Sequence, residues 1–273
     1  MAVFYRCQLT ISFTLLCFMK THLAYLFLLF PFMAMGQTAP APWGLWSYSL
    51  GAQRYAEPAM QLVGPEIGLH WRSRPLMGLG QAQLEVDALV GLQKYSSDTT
   101  GTMKNVPNIE TRWRVLWSSS RWTNISYGLA LLTHSNYLNL NSPTSTGHGG
   151  YERHSTQFWL PVRFSDSGEN WSVLGPVKSV QMDAGVLLLG QHISKLSQLN
   201  ASNNDINNRQ HTGVYIQSKL DYSTASGIYS PYIRWTWIDD SDKVNGYSAG
   251  RPGLFYEPMN RRLQIGVEWK YWR

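Results

Sequence analysis

Past residue 36 the chain has no cysteine: Cys7 and Cys17 are the only two in 273 residues. The remainder can form neither an intrachain disulfide nor a thiolate metal site, which argues against a small disulfide-built secreted fold. Long apolar runs are also scarce. Beyond residue 36 none approaches the roughly 20 residues a membrane-crossing helix needs. Charge of one sign is short as well. The formal net charge of +6 falls to +4 once Arg6 and Lys20 are set aside. The basic residues are scattered, so no nucleic acid partner is expected. No stretch shows helical periodicity over a convincing length.

Aromatics and period-two alternation are what the sequence has. All 12 tryptophans lie beyond residue 36, with 13 of the 15 tyrosines. In LEVDALVGLQKYSS, Leu84, Val86, Ala88, Val90 and Leu92 alternate with residues that include Glu85, Asp87, Gly91 and Gln93. The same pattern returns at Trp46–Ala52, Val63–Trp71, Ile109–Trp117, Ile125–Leu131, Phe158–Phe164, Val180–Leu188, Thr212–Tyr222, Tyr229–Trp237 and Leu263–Tyr271. That predicts ten strands, each with one apolar and one polar face. Twelve stays open, because the connection SDSGENWSVLGPVKS carries WSVL and could hold more strand.

The N-terminus reads MKTHLAYLFLLFPFMAMG over residues 19–36: a lysine, an apolar stretch broken by Pro31, then small residues at cleavage spacing. This predicts a secretory signal peptide over 1–36, with Met19 as an alternative start, and one domain over 37–273. A retained anchor is the rival reading.

A soluble sandwich or calyx and a membrane barrel both produce alternation. The connections separate them. SSDTTGTMKNVPN, NLNSPTSTGHGG, SQLNASNNDINNR and the stretch from Asp239 to Arg262 are long, whereas SSSR and STASG between them are short. Long outer loops alternating with short inner turns are the mark of a transmembrane barrel. The fold expected is therefore all-β, a closed antiparallel transmembrane β-barrel. Its narrow interior would hold the charges found on polar faces: Glu85, Asp87, Glu110, Arg112, Arg114, Asp183, Lys219, Asp221, Arg234, Glu268 and Lys270. The apolar faces carry none. A charge in the bilayer midplane would cost roughly 2–4 kcal/mol.

The signal segment, the cysteine-free remainder and the alternating C-terminal LQIGVEWKYWR resemble Gram-negative outer membrane β-barrel proteins over nearly the whole mature length. That resemblance implies residence in the cell outer membrane, contact with its lipid and lipopolysaccharide, and insertion by the barrel assembly machinery, as a monomer or small homo-oligomer. In that family the closing strand usually ends on an aromatic residue; here Trp272 is penultimate and Arg273 last. RYAEPAMQLVGPEIGLHW, with Tyr55, Glu57, Pro58 and Met60, is similar to the first hairpin of poorly characterised members carrying Tyr-x-Glu-Pro-x-Met. No reaction comes with that likeness.

FYEPMN repeats the motif at Tyr256, Glu257, Pro258 and Met259. First and last strands are neighbours in a closed barrel, so Glu57 and Glu257 could meet and hold a cation or share a proton. The plainer alternative is that Glu-Pro is a local turn device. For acyl-transfer chemistry the ingredients are His134 with Ser135 and His154 with Ser155, with Asn136, His148 and Glu152 nearby. Adjacent residues in a regular strand point to opposite faces, which argues against pairing His134 with Ser135. The histidines have no compact ligand spacing, and NASNNDINN lacks the carboxylate and glycine placement of a calcium loop. Neither a metal nor a cofactor is expected. Three roles follow: a structural or surface-interacting barrel, a narrow pore for small solutes, and a hydrolase acting at the rim.

Overall fold

The computed structural model describes residues 44–76, 81–118, 121–248 and 251–271. The expected signal peptide and the Trp272–Arg273 ending lie outside the described residues. The strands are β1 (Gly44–Glu57), β2 (Met60–Ser73), β3 (Ala82–Ser97), β4 (Gly101–Ser118), β5 (Ile125–Tyr137), β6 (Glu152–Ser167) and β7 (Val177–Ser194). They continue with β8 (Ile206–Gln210), β9 (Gly213–Thr224), β10 (Gly227–Ile238), β11 (Val244–Ser248), β12 (Arg251–Phe255) and β13 (Asn260–Tyr271).

Strands β1 to β7 pair antiparallel in chain order, β7 pairs with β9, β9 with β10, β10 with β13, and β13 with β1. The sheet therefore closes on itself as a ring of ten. Closure pairs the backbone groups of every wall strand, the condition for crossing hydrocarbon. Strand β8 pairs with the outer end of β7, Gly190 to Ser194, and extends the wall above β9. Strands β11 and β12 form a separate hairpin within the last outer connection.

The two faces obey different solvents. Leu50, Leu92, Trp113, Leu129, Val162, Val186, Ile216, Ile233 and Ile265 are exposed on the outside. Glu85, Asp87, Glu110, Arg114, Arg163, Asp183 and Glu268 are buried inside. That is the inverse of a soluble protein, and lipid is the solvent that makes it stable. Toward the end where β1 begins, aromatic side chains pair across strands. Tyr48 stacks on Trp269 at 5.8 Å, Tyr222 on Tyr229 at 5.4 Å, and Trp46 tilts against Trp71 at 6.4 Å. Such rings suit a membrane–water boundary.

Four connections add detail that alternation alone does not give. The stretch holding WSVL turns through short 3-10 helix over Gly168–Leu174, so it adds no strand and the ring has ten, not twelve. SSDTTGTMKNVPN is mostly strand: β3 and β4 stay paired to Ser97 opposite Gly101, where a φ of +82° closes the turn. Strands can continue past the lipid because water satisfies their outer face there. Of the other three long connections, two contain β8 and the β11–β12 hairpin, and the one between β5 and β6 holds only a short 3-10 turn at Leu138–Leu140.

Candidate functional site

Strand alternation points all eleven sequence-predicted charges into the lumen, where ten of them form ion pairs and Arg234 stacks on an aromatic ring. Glu85 meets Arg163 at 2.5 and 2.9 Å and Arg114 at 3.0 Å. Asp87 receives Arg114 at 2.8 Å and His70 at 2.8 Å, and Asp183 binds Arg163 at 2.7 Å. Glu110 pairs with both Arg112 and Arg262, while Arg112 also reaches Gln264. These last contacts run from β4 to β13, across the ring. Lys219 pairs with Glu268, Asp221 with Lys270 at 3.6 Å, and Arg234 stacks 4.2 Å above the Tyr215 ring. Tyr215 also meets Trp159 edge-on at 5.4 Å. Gly185 makes room for it, since a Cβ there would run into the Tyr215 ring.

At the outer mouth, Glu57 and Glu257 come together around Arg153. The guanidinium Nη2 lies 2.5 Å from Glu57 Oε1 and also binds Glu257 Oε1. The Tyr55 hydroxyl donates to Glu57 at 2.6 Å and lies 3.3 Å from Glu257. Glu57 sits here because Pro58 and Ala59 turn β1 into β2, pairing Glu57 with Met60. Glu257 is placed by its backbone: its N–H bonds Ser241 Oγ at 2.7 Å, and its carbonyl accepts the Ser241 N–H at 2.9 Å. One guanidinium thus ties the first hairpin to the last outer connection. A cation in the sense first considered would have to compete with Arg153. Just outside the strands, burial pushes the Tyr151 phenol above its ordinary range.

The four acyl-transfer candidates separate onto two faces. His134 and Ser155 point inward. His134 Nε2 lies 2.6 Å from Asn108 Nδ2, and Ser155 Oγ lies 2.8 Å from His192 Nδ1. Ser135 and His154 point outward and stand opposite each other on β5 and β6. Ser135 Oγ is 2.9 Å from His154 Nδ1, and His154 Nε2 is 3.2 Å from Glu152 Oε2. Neither pair adjacent in sequence is a pair in space. His148 bonds Thr146 Oγ1 at 2.9 Å in the connection before β6, away from this row.

Sequence reasoning gave no role at the site to Arg153, Arg163, Arg262, His192 or Tyr55. Arg163 alternates with Val162 and Phe164, so continuing the pattern by one position would have found it. His192 was hidden by a bulge: Leu188 and Leu189 both face outward, shifting the parity of the last turns of β7.

No family model matches the chain, and no curated protein matches it. Among solved structures, it is similar to the outer membrane protease OmpT from Escherichia coli (9% identity, 86% of this chain and 99% of that one, TM-score 0.43). It is also similar to the β domain of the Bordetella autotransporter BrkA (10% identity, 85% and 100%, TM-score 0.45). An outer membrane channel from Pseudomonas putida F1 gives 11% identity, 86% and 98% coverage, and a TM-score of 0.42. A protease, an autotransporter domain and a channel resemble the chain to the same low degree, so none of their activities transfers. The chain's own closed ring, lipid-facing apolar wall and ionic lumen make it an integral transmembrane β-barrel.

Proposed function

We propose that this barrel is a sealed structural and surface-interacting protein of the outer membrane, exported by a signal peptide over residues 1–36 and inserted by the barrel assembly machinery. The observation that carries the reading is the filled lumen. Pairs such as Glu110 with Arg262 cross it, and the void between Arg112, Arg114, Trp159 and Arg234 measures about 10 Å³. That is room for a single water. Tyr55, Glu57, Pro58 and Met60 support grouping the chain with outer-membrane barrels that carry a Tyr-x-Glu-Pro-x-Met hairpin.

Lipopolysaccharide is the surface partner proposed. Arg54 and Lys94 both stand opposite Val63 in the paired strands, with Arg261 and Lys104 on the strands to either side. All four are exposed and have no ion-pair partner among the described residues. An unneutralised row of cations suits the phosphate groups of an anionic glycolipid.

The test is conductance of the full chain in planar bilayers. The sealed barrel gives no steady current under voltage. A reproducible unit conductance would favour the narrow pore instead.

A further inference from the structure

We propose that Ser135, His154 and Glu152 form an outward-facing nucleophilic site that hydrolyses acyl esters of anionic outer-leaflet lipids. The inference takes from the preceding reading only that the barrel works at its outer surface.

The geometry is that of nucleophile, base and orienting acid. Ser135 Oγ and His154 Nδ1 are 2.9 Å apart, and the other ring nitrogen meets Glu152 at 3.2 Å. With Nε2–H donated to the carboxylate, Nδ1 is the acceptor that takes the serine proton. Glu152 is itself held, because Asn139 Nδ2 donates to its Oε1 at 2.9 Å. Tyr137 closes edge-on against the imidazole at 5.8 Å. The His154 and Glu152 side chains are 29% and 24% exposed, so the site is reachable. The lumen pair Ser155 and His192 has a similar spacing, but at 8% and 3% exposure no substrate reaches it.

Position selects the substrate. On β5 the last lipid-facing apolar residue is Leu131, and on β6 it is Phe158. Thr133 and Thr156 form the next cross-strand pair on the same face, and Ser135 with His154 the one after. Four residues of strand place Ser135 about 13 Å along the chain from Leu131. Over that distance the row turns from apolar to hydroxyl-bearing, as a strand does on passing from hydrocarbon into the interfacial layer where lipid ester carbonyls sit. The threonine hydroxyls are the donors next to the site on its membrane side. The cation row ends at Lys104 on β4, five residues outward of Ile109, which stands opposite Ser135, so a phosphate above the ester would meet it.

In the reaction, Ser135 Oγ bonds to the ester carbonyl carbon as its proton passes to His154 Nδ1. Collapse breaks the bond to the alkoxy group, which leaves with that proton as the free alcohol. Water then attacks the acyl-serine, giving one proton to His154. The acid departs and Ser135 recovers its proton. Glu152 is a positioning residue throughout.

The test uses the full chain folded in detergent, with the heat-dependent gel shift as the folding check. A fluorophosphonate should label Ser135, read by peptide mass spectrometry. Vesicles of phosphatidylglycerol and lipopolysaccharide should release free fatty acid. Ser135→Ala and His154→Ala should each lower release about 100-fold or more while keeping the gel shift. Ser155→Ala should leave it unchanged. Glu152→Gln should lower kcat with KM unaltered, and Glu152→Asp should recover part of the loss. Absence of label, label on another serine, or equal release by Ser135→Ala and the parent overturns the proposal. Conductance does not bear on these readouts: a barrel that conducts and still releases fatty acid fails only the sealed-lumen reading.

Discussion

Arg163 on β6 grips Glu85 on β3 with a two-pronged contact, Nη1 to Oε1 at 2.5 Å and Nη2 to Oε2 at 2.9 Å. Glu85 is fully buried and also faces Arg114 and Arg72. Three guanidiniums share that one carboxylate, with Asp183 and Asp87 compensating part of their charge. Glu85→Gln keeps the shape and removes the charge that holds them together. Breaking a buried ion pair in this way should cost about 3–5 kcal/mol. Urea unfolding of the barrel in lipid vesicles measures it, and a loss near zero would mean water already screens the network.

At the outer mouth Arg153 is the tie between Glu57 and Glu257. Arg153→Met leaves two carboxylates facing each other and frees the connection that carries β11 and β12. Hydrogen bonds to charged groups contribute about 1.5–3 kcal/mol, so the opened population should rise tenfold or more. Limited trypsin digestion at Lys243, which Val244 follows, should accelerate by that factor while the heat-dependent gel shift persists. Unchanged cleavage would show that the Ser241–Glu257 backbone bonds hold the connection without Arg153.

The ten wall strands were legible because a barrel imposes one rule on all of them, lipid outside and polar lumen inside, and Trp46–Ala52 or Leu263–Tyr271 obey it without a break. Legibility failed where that rule stops applying. Above the lipid, Lys104 and Asn105 meet water on the outside of β4, so strand there reads as loop. Strand β8 buries Ile206, Asn208 and Gln210, two of them polar, and leaves no apolar stripe to detect. The Leu188–Leu189 bulge reversed the parity that would have sent His192 toward lipid. Alternation put His134 and Ser135 on opposite faces, yet it could not say that Ser135 faces His154. That depends on the register of β5 against β6, set across the connection 138–151.

The connection between β7 and β8 should loosen in acid. Asp205 accepts from the Ser197 hydroxyl at 2.6 Å, the Lys195 ammonium at 2.9 Å and the Ser197 backbone N–H at 3.1 Å. The Ser197 hydroxyl, with help from Lys195, holds the Asp205 carboxyl below its ordinary value. A depressed folded value means the stabilisation is fully present above the ordinary aspartate value of about 3.9 and fades as pH falls below it. Hydrogen exchange at the Ser197 amide should therefore speed up at low pH more than at neighbouring amides. Asp205→Asn should remove the difference.

The lipid face makes the sharpest demand on sequence. Val86 stands between Trp71 on β2 and Trp113 on β4, with Glu85 and Asp87 on either side of it pointing the other way into the lumen. The position is reached by the same strand that carries two buried carboxylates, and only the alternation keeps them apart. Val86→Lys puts an ammonium on the lipid face with no acidic neighbour there, a change that costs about 2–4 kcal/mol at the midplane and less toward the boundary that Trp71 marks. Val86→Leu, which enlarges the side chain without charge, should be nearly neutral because lipid yields to extra volume where a packed core would not. The folded fraction from the heat-dependent gel shift, compared for the two variants at equal expression, tests both statements. Equal folded fractions would mean that Val86 lies above the hydrocarbon, and the membrane would have to be moved along the barrel axis relative to the apolar belt.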